Sequence, residues 1–147
     1  MLTMAPLAAN AGLLGSTVTD AQSAVYESQA RLVASSQIMN TAEEVKIVAP
    51  TSEADATVKI AALDDKADSA KDLASAAFDK AAEYLAKAQD STSATVKSKY
   101  VAAADTYEKT AYFYSVTADL YLSAQVKTCD LAAALPEAPT SQDNAAN

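Results

Sequence analysis

Histidine and tryptophan are absent from this chain of 147 residues, and cysteine occurs once, at position 129. Without histidine, the chain lacks the commonest general base and the commonest ligand of transition metals. A single cysteine allows neither an intramolecular disulfide nor a cysteine-based metal site, whereas an intermolecular bridge is still allowed. These absences disfavour an enzyme, and we expect no catalytic residue, no metal site and no cofactor.

Glycine and proline, the strongest helix breakers, are also scarce. Glycine occurs only at positions 12 and 15, and proline only at 6, 50, 136 and 139. Alanine, the best helix former, contributes 36 residues,. β-branched and aromatic residues are too few, and alternate too rarely with polar ones, to predict strands. The sequence therefore predicts an all-α protein with long helices.

Positive charge is scarce as well, since 11 basic residues stand against 19 acidic ones and the net charge is −8. Nucleic acids and anionic membrane surfaces both need a basic protein face, so the composition argues against either partner. No run reaches the roughly 20 apolar residues of a transmembrane helix, and we expect no membrane span. Residues 53–90 carry nine acids and five bases, whereas residues 94–130 carry four of each. The middle of the chain is thus acidic, and the last long segment is neutral.

The first predicted helix is marked by a capping signal and by a proline. Thr19 with Gln22 three residues later has the form of a capping box, which predicts that helix 1 starts there. The residue before Pro50 is disfavoured in helical conformation, so helix 1 ends before it. Residues 1–18, which carry no charged side chain, then form an apolar arm ahead of the helix.

Two longer helices of about 40 residues each are expected to follow. Ser52 with Asp55 three residues later predicts the start of helix 2, which runs to the turn-forming residues 90–93. Helix 3 starts within that run, doubles back antiparallel to helix 2 and ends before Pro136. The polar tail 136–147 has no periodicity and is expected to be flexible.

The predicted architecture is an elongated antiparallel hairpin of helices 2 and 3 with a shorter N-terminal helix. This is a three-helix, coiled-coil-like bundle over residues 19–135, and the chain length fits a single domain. The apolar arm 1–18 and the tail 136–147 flank the bundle.

The two seams that would join helices 2 and 3 differ in the size of their side chains. Tyrosine recurs at every seventh residue of helix 3, whereas the facing positions of helix 2 are mostly alanine. A tyrosine ring fits over small side chains of a facing helix, so the seams are complementary in size. The predicted hairpin seam consists of Tyr100, Tyr107, Tyr114, Tyr121, Ala67, Ala70, Ala74, Ala77 and Ala81. The alternative is that the tyrosines line a groove for an aromatic ligand, a pigment, a sugar or a partner helix.

Helix 3 also contains a stretch, residues 110–126, in which Asp119 is the only charge. A helix that is apolar on every side is normally covered on every side. Helices 1 and 2 can cover two sides, which leaves a third for a neighbouring chain, unless helix 3 is simply the wrapped centre of the bundle. The apolar arm is a second contact candidate. The candidate assembly-interface residues are Met1, Leu2, Met4, Leu7, Leu13, Leu14, Tyr112, Phe113, Val116, Leu120 and Leu122.

The sequence favours a non-enzymatic structural or assembly subunit that packs with copies of itself or with other chains into a filament, ribbon or larger complex. One alternative is an accessory helical subunit docked on a membrane complex from the lumenal, periplasmic or extracellular side. The run Ala9-Asn10-Ala11 fits a signal-peptide cleavage site and favours these compartments over the cytoplasm. A further alternative is a helical module that binds an apolar small molecule or pigment.

Two segments resemble parts of known helical families. Residues 73–100 (LASAAFDKAAEYLAKAQDSTSATVKSKY) are similar to the last hairpin of the PsbQ-type extrinsic four-helix subunits of photosystem II. Residues 17–21 (TVTDA), ahead of an alanine-rich helix, resemble the small ribbon-forming subunits of bacterial R-bodies. Neither resemblance covers more than about a fifth of the chain. They imply the accessory-subunit and the self-assembly functions respectively, and assign no residue a role.

Overall fold

The computed structural model describes residues 7–137, with side chains from residue 17 onward, and contains three α-helices. Helix α1 spans Leu7–Glu43, α2 spans Glu53–Asp90 and α3 spans Ala94–Ala133. Their lengths of 37, 38 and 40 residues correspond to rods of roughly 55 to 60 Å,. No strand occurs in the described residues. The predicted all-α fold with a long helical hairpin is confirmed.

Serine caps fix the start of α2 and of α3. The hydroxyl of Ser52 accepts a hydrogen bond from the backbone N–H of Asp55 at 3.1 Å. The hydroxyl of Ser93 accepts from the N–H of Val96 at 3.4 Å. Each bond satisfies an amide that has no partner within the first helical turn. The hairpin turn is therefore confined to residues 91–93, within the run that predicted it.

Helix α1 starts earlier than its capping signal predicted. The chain is already helical at Leu7, so Thr19 lies inside α1, and the prediction that the helix starts at Thr19 is wrong. No proline lies between positions 6 and 50, and the two glycines of the arm cost only about 1 kcal/mol each relative to alanine. A capping sequence does not start a new helix where the residues before it are already helical. Helix α1 is consequently almost as long as the other two.

Helix α3 lies between the other two helices. Its backbone packs against both α1 and α2, whereas no Cα atom of α1 comes within 8 Å of one in α2 over the described chain. Hydrogen bonds join Lys99 to Gln22 and Tyr107 to Glu27, which shows that α1 runs parallel to α3. Helix α3 is thus the central element, and residues of all three helices meet in the core clusters.

Helix α2 runs antiparallel to α3. The side chain of Gln125 donates a hydrogen bond to Asp64 at 3.3 Å, and at the opposite end the rings of Tyr84 and Tyr100 stack. Early residues of α2 therefore face late residues of α3, as the predicted hairpin requires.

Helix α1 reaches beyond the hairpin turn. The two α1–α3 hydrogen bonds join residues that are 77 and 80 positions apart. Subtracting this offset from 94 places Ala94, the first residue of α3, level with about residues 14 to 17 of α1. Residues 7–13 of α1 therefore extend past the start of α3 by roughly 10 Å.

The core is narrow and consists largely of alanine and tyrosine. Small side chains let the helix backbones approach closely, and the tyrosine rings fill the space between the three helices. Five buried hydroxyl groups each donate to a carbonyl of the preceding turn, so none is left without a partner,. They belong to Ser28, Ser35, Thr110, Thr117 and Thr128.

Candidate assembly surface

The nine residues of the predicted hairpin seam all lie in the interior. The four tyrosines are 4 to 8% exposed, and the five alanines are 0 to 6% exposed. Burial of a large side chain contributes roughly 1.5 to 3 kcal/mol, so the tyrosine row is a major source of stability. With so little exposed surface, the row offers a ligand almost no contact area along most of its length.

Tyr84 of α2 lies between two members of the tyrosine row. Its ring centroid is 5.7 Å from that of Tyr100, with 16° between the planes, and 5.7 Å from that of Tyr107. Lys87 places its ammonium 5.2 Å from the centroid of the Tyr84 ring. Aromatic pairs at this distance contribute about 0.5 to 1.5 kcal/mol beyond area burial. The 4-3 spacing of the sequence already places Tyr84 on the seam of helix 2, where it interrupts the alanine series.

A polar contact joins the tyrosine row to α1. The hydroxyl of Tyr107 donates a hydrogen bond to Oε1 of Glu27 at 3.0 Å. Burial, together with this bond to a carboxylate, raises the pKa of Tyr107 above its ordinary value. Burial also raises the pKa of Tyr84, and the negative charge of Glu27 adds to the effect. No local signal in the sequence marks Glu27, because the position of α1 relative to α3 is a tertiary feature.

A shallow groove between α1 and α2 opens beside the last tyrosine of the row. Its volume is about 260 Å³, and Ile38 and Leu73 remain 38% and 41% exposed at its sides. The groove is lined by Ile38, Asp65, Lys66, Ser69, Ala70, Leu73, Thr117 and Tyr121.

The candidate interface residues on α3 fall into two groups. Leu120 and Leu122 are partly buried and pack against the cluster around Tyr121, so they belong to the bundle. Tyr112 is 63% exposed, and its ring centroid lies 6.1 Å from that of Phe113. Val116 is partly exposed and lies one turn after Tyr112. The second group is therefore available on the surface.

The candidate residues of the arm lie partly on α1 and partly ahead of the described residues. Met1, Leu2 and Met4 lie outside the described residues. Residues 7, 13 and 14, all leucine, lie on α1, but their side chains belong to the part that the structure does not describe.

Tyr112 and Val116 belong to a longer stripe along α3. Its members are spaced four and three residues apart, which is the spacing of a coiled-coil seam. Val116 is partly exposed and every other member is exposed, so neither α1 nor α2 covers the stripe. We refer to it as the outer stripe, and it consists of Asp105, Lys109, Tyr112, Val116, Asp119, Ser123 and Val126.

No known family model, curated protein or solved structure matches this chain. The resemblances of residues 73–100 and 17–21 therefore gain no support from these comparisons. Across the described residues, no helix contains an apolar stretch long enough to cross a membrane.

Proposed function

We propose that this chain is a non-enzymatic structural or assembly subunit that binds neighbouring protein chains through the outer stripe of α3. The observation that carries the proposal is the exposed Tyr112 beside the partly exposed Val116, within residues 110–126, whose only charge is Asp119. The centres of protein interfaces are enriched in tyrosine and depleted of charge. An exposed aromatic ring in a nearly uncharged stretch has this composition.

The charge distribution supports the same surface. Residues 53–90, which include all of α2, carry nine acids and five bases, so this helix repels another copy of an acidic chain,. Residues 94–130 carry equal numbers of acids and bases. The approach of a second acidic subunit therefore costs least at α3.

An accessory subunit docked on a membrane complex would use the same stripe, but its partner would be a different protein. Self-association of the purified chain separates the two possibilities, because an accessory subunit has no need to bind its own copies. A filament or ribbon would additionally need a second contact surface, for which the arm is the candidate.

The small-molecule alternative rests on the groove beside Tyr121. The volume of this groove, about 260 Å³, lies below the roughly 300 to 1,000 Å³ of most ligand sites, whereas a groove between α2 and α3 beside Phe78 has a volume of about 400 Å³,. If the chain binds an apolar fluorescent probe, and Ile38→Ser abolishes binding while Tyr112→Ser preserves it, this alternative would be favoured.

The test of the proposal is the mass of the purified chain over a wide concentration range, measured by sedimentation velocity, with electron microscopy of the larger species. We expect the wild type to self-associate and the double variant Tyr112→Ser, Val116→Ser to shift towards monomer at an unchanged melting temperature. Tyr26→Ser is the matched control, because Tyr26 is 64% exposed on α1, outside the stripe. Equal loss of association in the control would contradict the proposal.

A further inference from the structure

The outer stripe carries a charge pattern that fits a second copy of itself. We propose that two copies of the chain form a two-fold symmetric dimer in which their α3 helices pack antiparallel along the outer stripe. Lys109 of each copy then faces the partner's Asp119. This inference rests on the proposed function, because it names the occupant of the same surface.

The heptad positions of the stripe determine which residues meet. The stripe alternates between two heptad positions, of which one holds Lys109 and Val116 and the other holds Tyr112 and Asp119. In an antiparallel pair of helices, each of these two positions faces the other one on the partner. When Lys109 faces the partner's Asp119, Tyr112 faces the partner's Val116, since both pairs are centred on residue 114. This register therefore forms two ion pairs and brings Tyr112 of each copy against Val116 of the other.

Neighbouring registers lose these contacts. A slip of one heptad in one direction places Lys109 opposite the partner's Tyr112, and Asp105 opposite the partner's Val116. A slip in the other direction places Val116 opposite the partner's Asp119. Each alternative buries a charge against an apolar side chain, which costs free energy unless the charge is paired.

Like charges oppose an in-register parallel arrangement. It places Lys109 against the partner's Lys109 and Asp119 against the partner's Asp119, and like charges facing each other at an interface oppose binding. In the antiparallel register, Asp105 instead faces the partner's Ser123, and Val126 faces the partner's Ala102. No member of the stripe then meets a charge of its own sign.

The two charged side chains are available for this contact. Lys109 and Asp119 are both exposed, and the ion pairs of the described chain all lie within α2. The paired region runs from residue 102 to residue 126, which is roughly 36 Å of helix. An interface of one helix pair is small, so we expect a concentration-dependent dimer with a dissociation constant in the micromolar range.

Charge reversal tests the register by sedimentation velocity. Lys109→Glu and Asp119→Lys each put two pairs of like charges across the interface, and each is expected to raise the dissociation constant at least about 10-fold. The double variant, and an equimolar mixture of the two single variants, restore opposite charges in every pair. Both are expected to dimerise within about 3-fold of the wild type.

The matched controls are Lys46→Glu and Asp72→Lys, which make the same changes in net charge at exposed positions outside the stripe. They are expected to leave the dissociation constant within about 3-fold of the wild type, because screened charges outside the contact act weakly. Equal weakening by the controls would show that net charge, and not this pairing, governs association.

Cys129 provides a measurement of the register itself. The antiparallel register centred on residue 114 separates the two exposed cysteines by about 45 Å along the axis, and a one-heptad slip changes this by about 10 Å,. A parallel dimer places them side by side. Double electron–electron resonance between spin labels on Cys129 should therefore give a long distance near 45 Å.

The outcomes separate this inference from the proposed function. If the Tyr112 and Val116 variant abolishes association but the charge reversals have no effect, or the spin labels lie close together, this dimer is wrong and the assembly surface stands. If the wild type is monomeric at every concentration, the self-dimer is overturned outright. Loss on single reversal, rescue by mixing and the long distance together establish the dimer.

Discussion

The hydroxyl of Tyr107 lies 3.0 Å from Oε1 of Glu27 and joins α3 to α1. The ring of the same residue lies 5.7 Å from the ring of Tyr84 on α2, measured between centroids. Within residues 7–137, no Cα atom of α1 lies within 8 Å of one in α2. Tyr107 therefore contacts both other helices at once, α1 through its hydroxyl and α2 through its ring.

Removing only the hydroxyl of Tyr107 should weaken the attachment of α1. We expect Tyr107→Phe to lower the free energy of unfolding by roughly 0.5 to 1.5 kcal/mol, which is the net value of one hydrogen bond. For a domain of this size the melting temperature falls by about 2 to 4 °C per kcal/mol. Tyr26→Phe, at a 64% exposed position, is the control and should leave the melting temperature unchanged. Equal melting temperatures of Tyr107→Phe and the wild type would contradict a stabilising role for the bond.

Stability should fall at alkaline pH, with a contribution from Tyr107. Burial and the bond to Glu27 raise the pKa of Tyr107 above its ordinary value of 10.0. Above about pH 10 the unfolded chain loses this proton while the folded chain keeps it, so the free energy of unfolding decreases as pH rises. The slope is at most about 1.4 kcal/mol per pH unit for each such proton. The raised pKa of Tyr84 acts in the same direction.

Lysine titration also lowers stability in this range, because hydrogen bonds to Glu83 raise the pKa of Lys80 and of Lys87. A lysine with a raised folded pKa stabilises the fold below the unfolded pKa and loses this contribution as pH rises. Both lysines are retained in Tyr107→Phe, so comparing its slope with that of the wild type isolates Tyr107. Urea unfolding between about pH 9 and 11 should show a shallower decline for the variant. Identical slopes would show that Tyr107 titrates alike in both states.

The local features of the fold follow from the sequence, and the placement of α1 does not. Ser52 and the run 90–93 predict the ends of α2 and the hairpin turn because caps and turns act over a few residues,. Spacing of seven predicts which face of a helix is apolar, but not which neighbour covers it. The Glu27 contact depends on the position of α1 beside α3, which no local signal encodes. At Thr19 a local signal is present but misleads, because the capping pattern lies inside a helix that already began at Leu7.

Close packing of alanine against tyrosine should make the seam intolerant of larger side chains. Ala67 is 0% exposed and clusters with Tyr121, so Ala67→Leu must displace neighbouring groups. We expect a loss of about 1 to 3 kcal/mol in the free energy of unfolding, measured by chemical denaturation. Ala76→Leu adds the same volume at an exposed position of α2 and should be nearly neutral. A stable Ala67→Leu variant would mean that the helices are farther apart at this level.

The cap of α2 should be measurable by a single substitution. Ser52 accepts the hydrogen bond from the N–H of Asp55, and Ser52→Ala leaves that amide without a side-chain partner. We expect a loss of about 1 kcal/mol, and Ser52→Asp, which preserves the acceptor, should retain most of the stability. Ser75→Ala in the exposed middle of α2 is the control and should be neutral or slightly stabilising,. If the two alanine variants behave alike, the cap contributes nothing measurable.

Deletion of residues 1–15 should separate the bundle from its larger assemblies. The α1–α3 register places residues 7–15, the described part of this segment, at or beyond the first turn of α3, so their removal costs few contacts with the bundle. We expect the helical content per residue to be maintained and the melting temperature to fall by no more than about 2 °C.

A two-fold dimer through the outer stripe is closed, because both copies use the same patch, and further growth needs a different surface. The arm, which carries no charge, is the proposed second surface. The deleted chain should therefore still dimerise but form nothing larger, as judged by sedimentation velocity. Assemblies larger than a dimer in the deleted chain would show that the arm is dispensable, whereas loss of the dimer itself would move the primary contact from α3 to the arm.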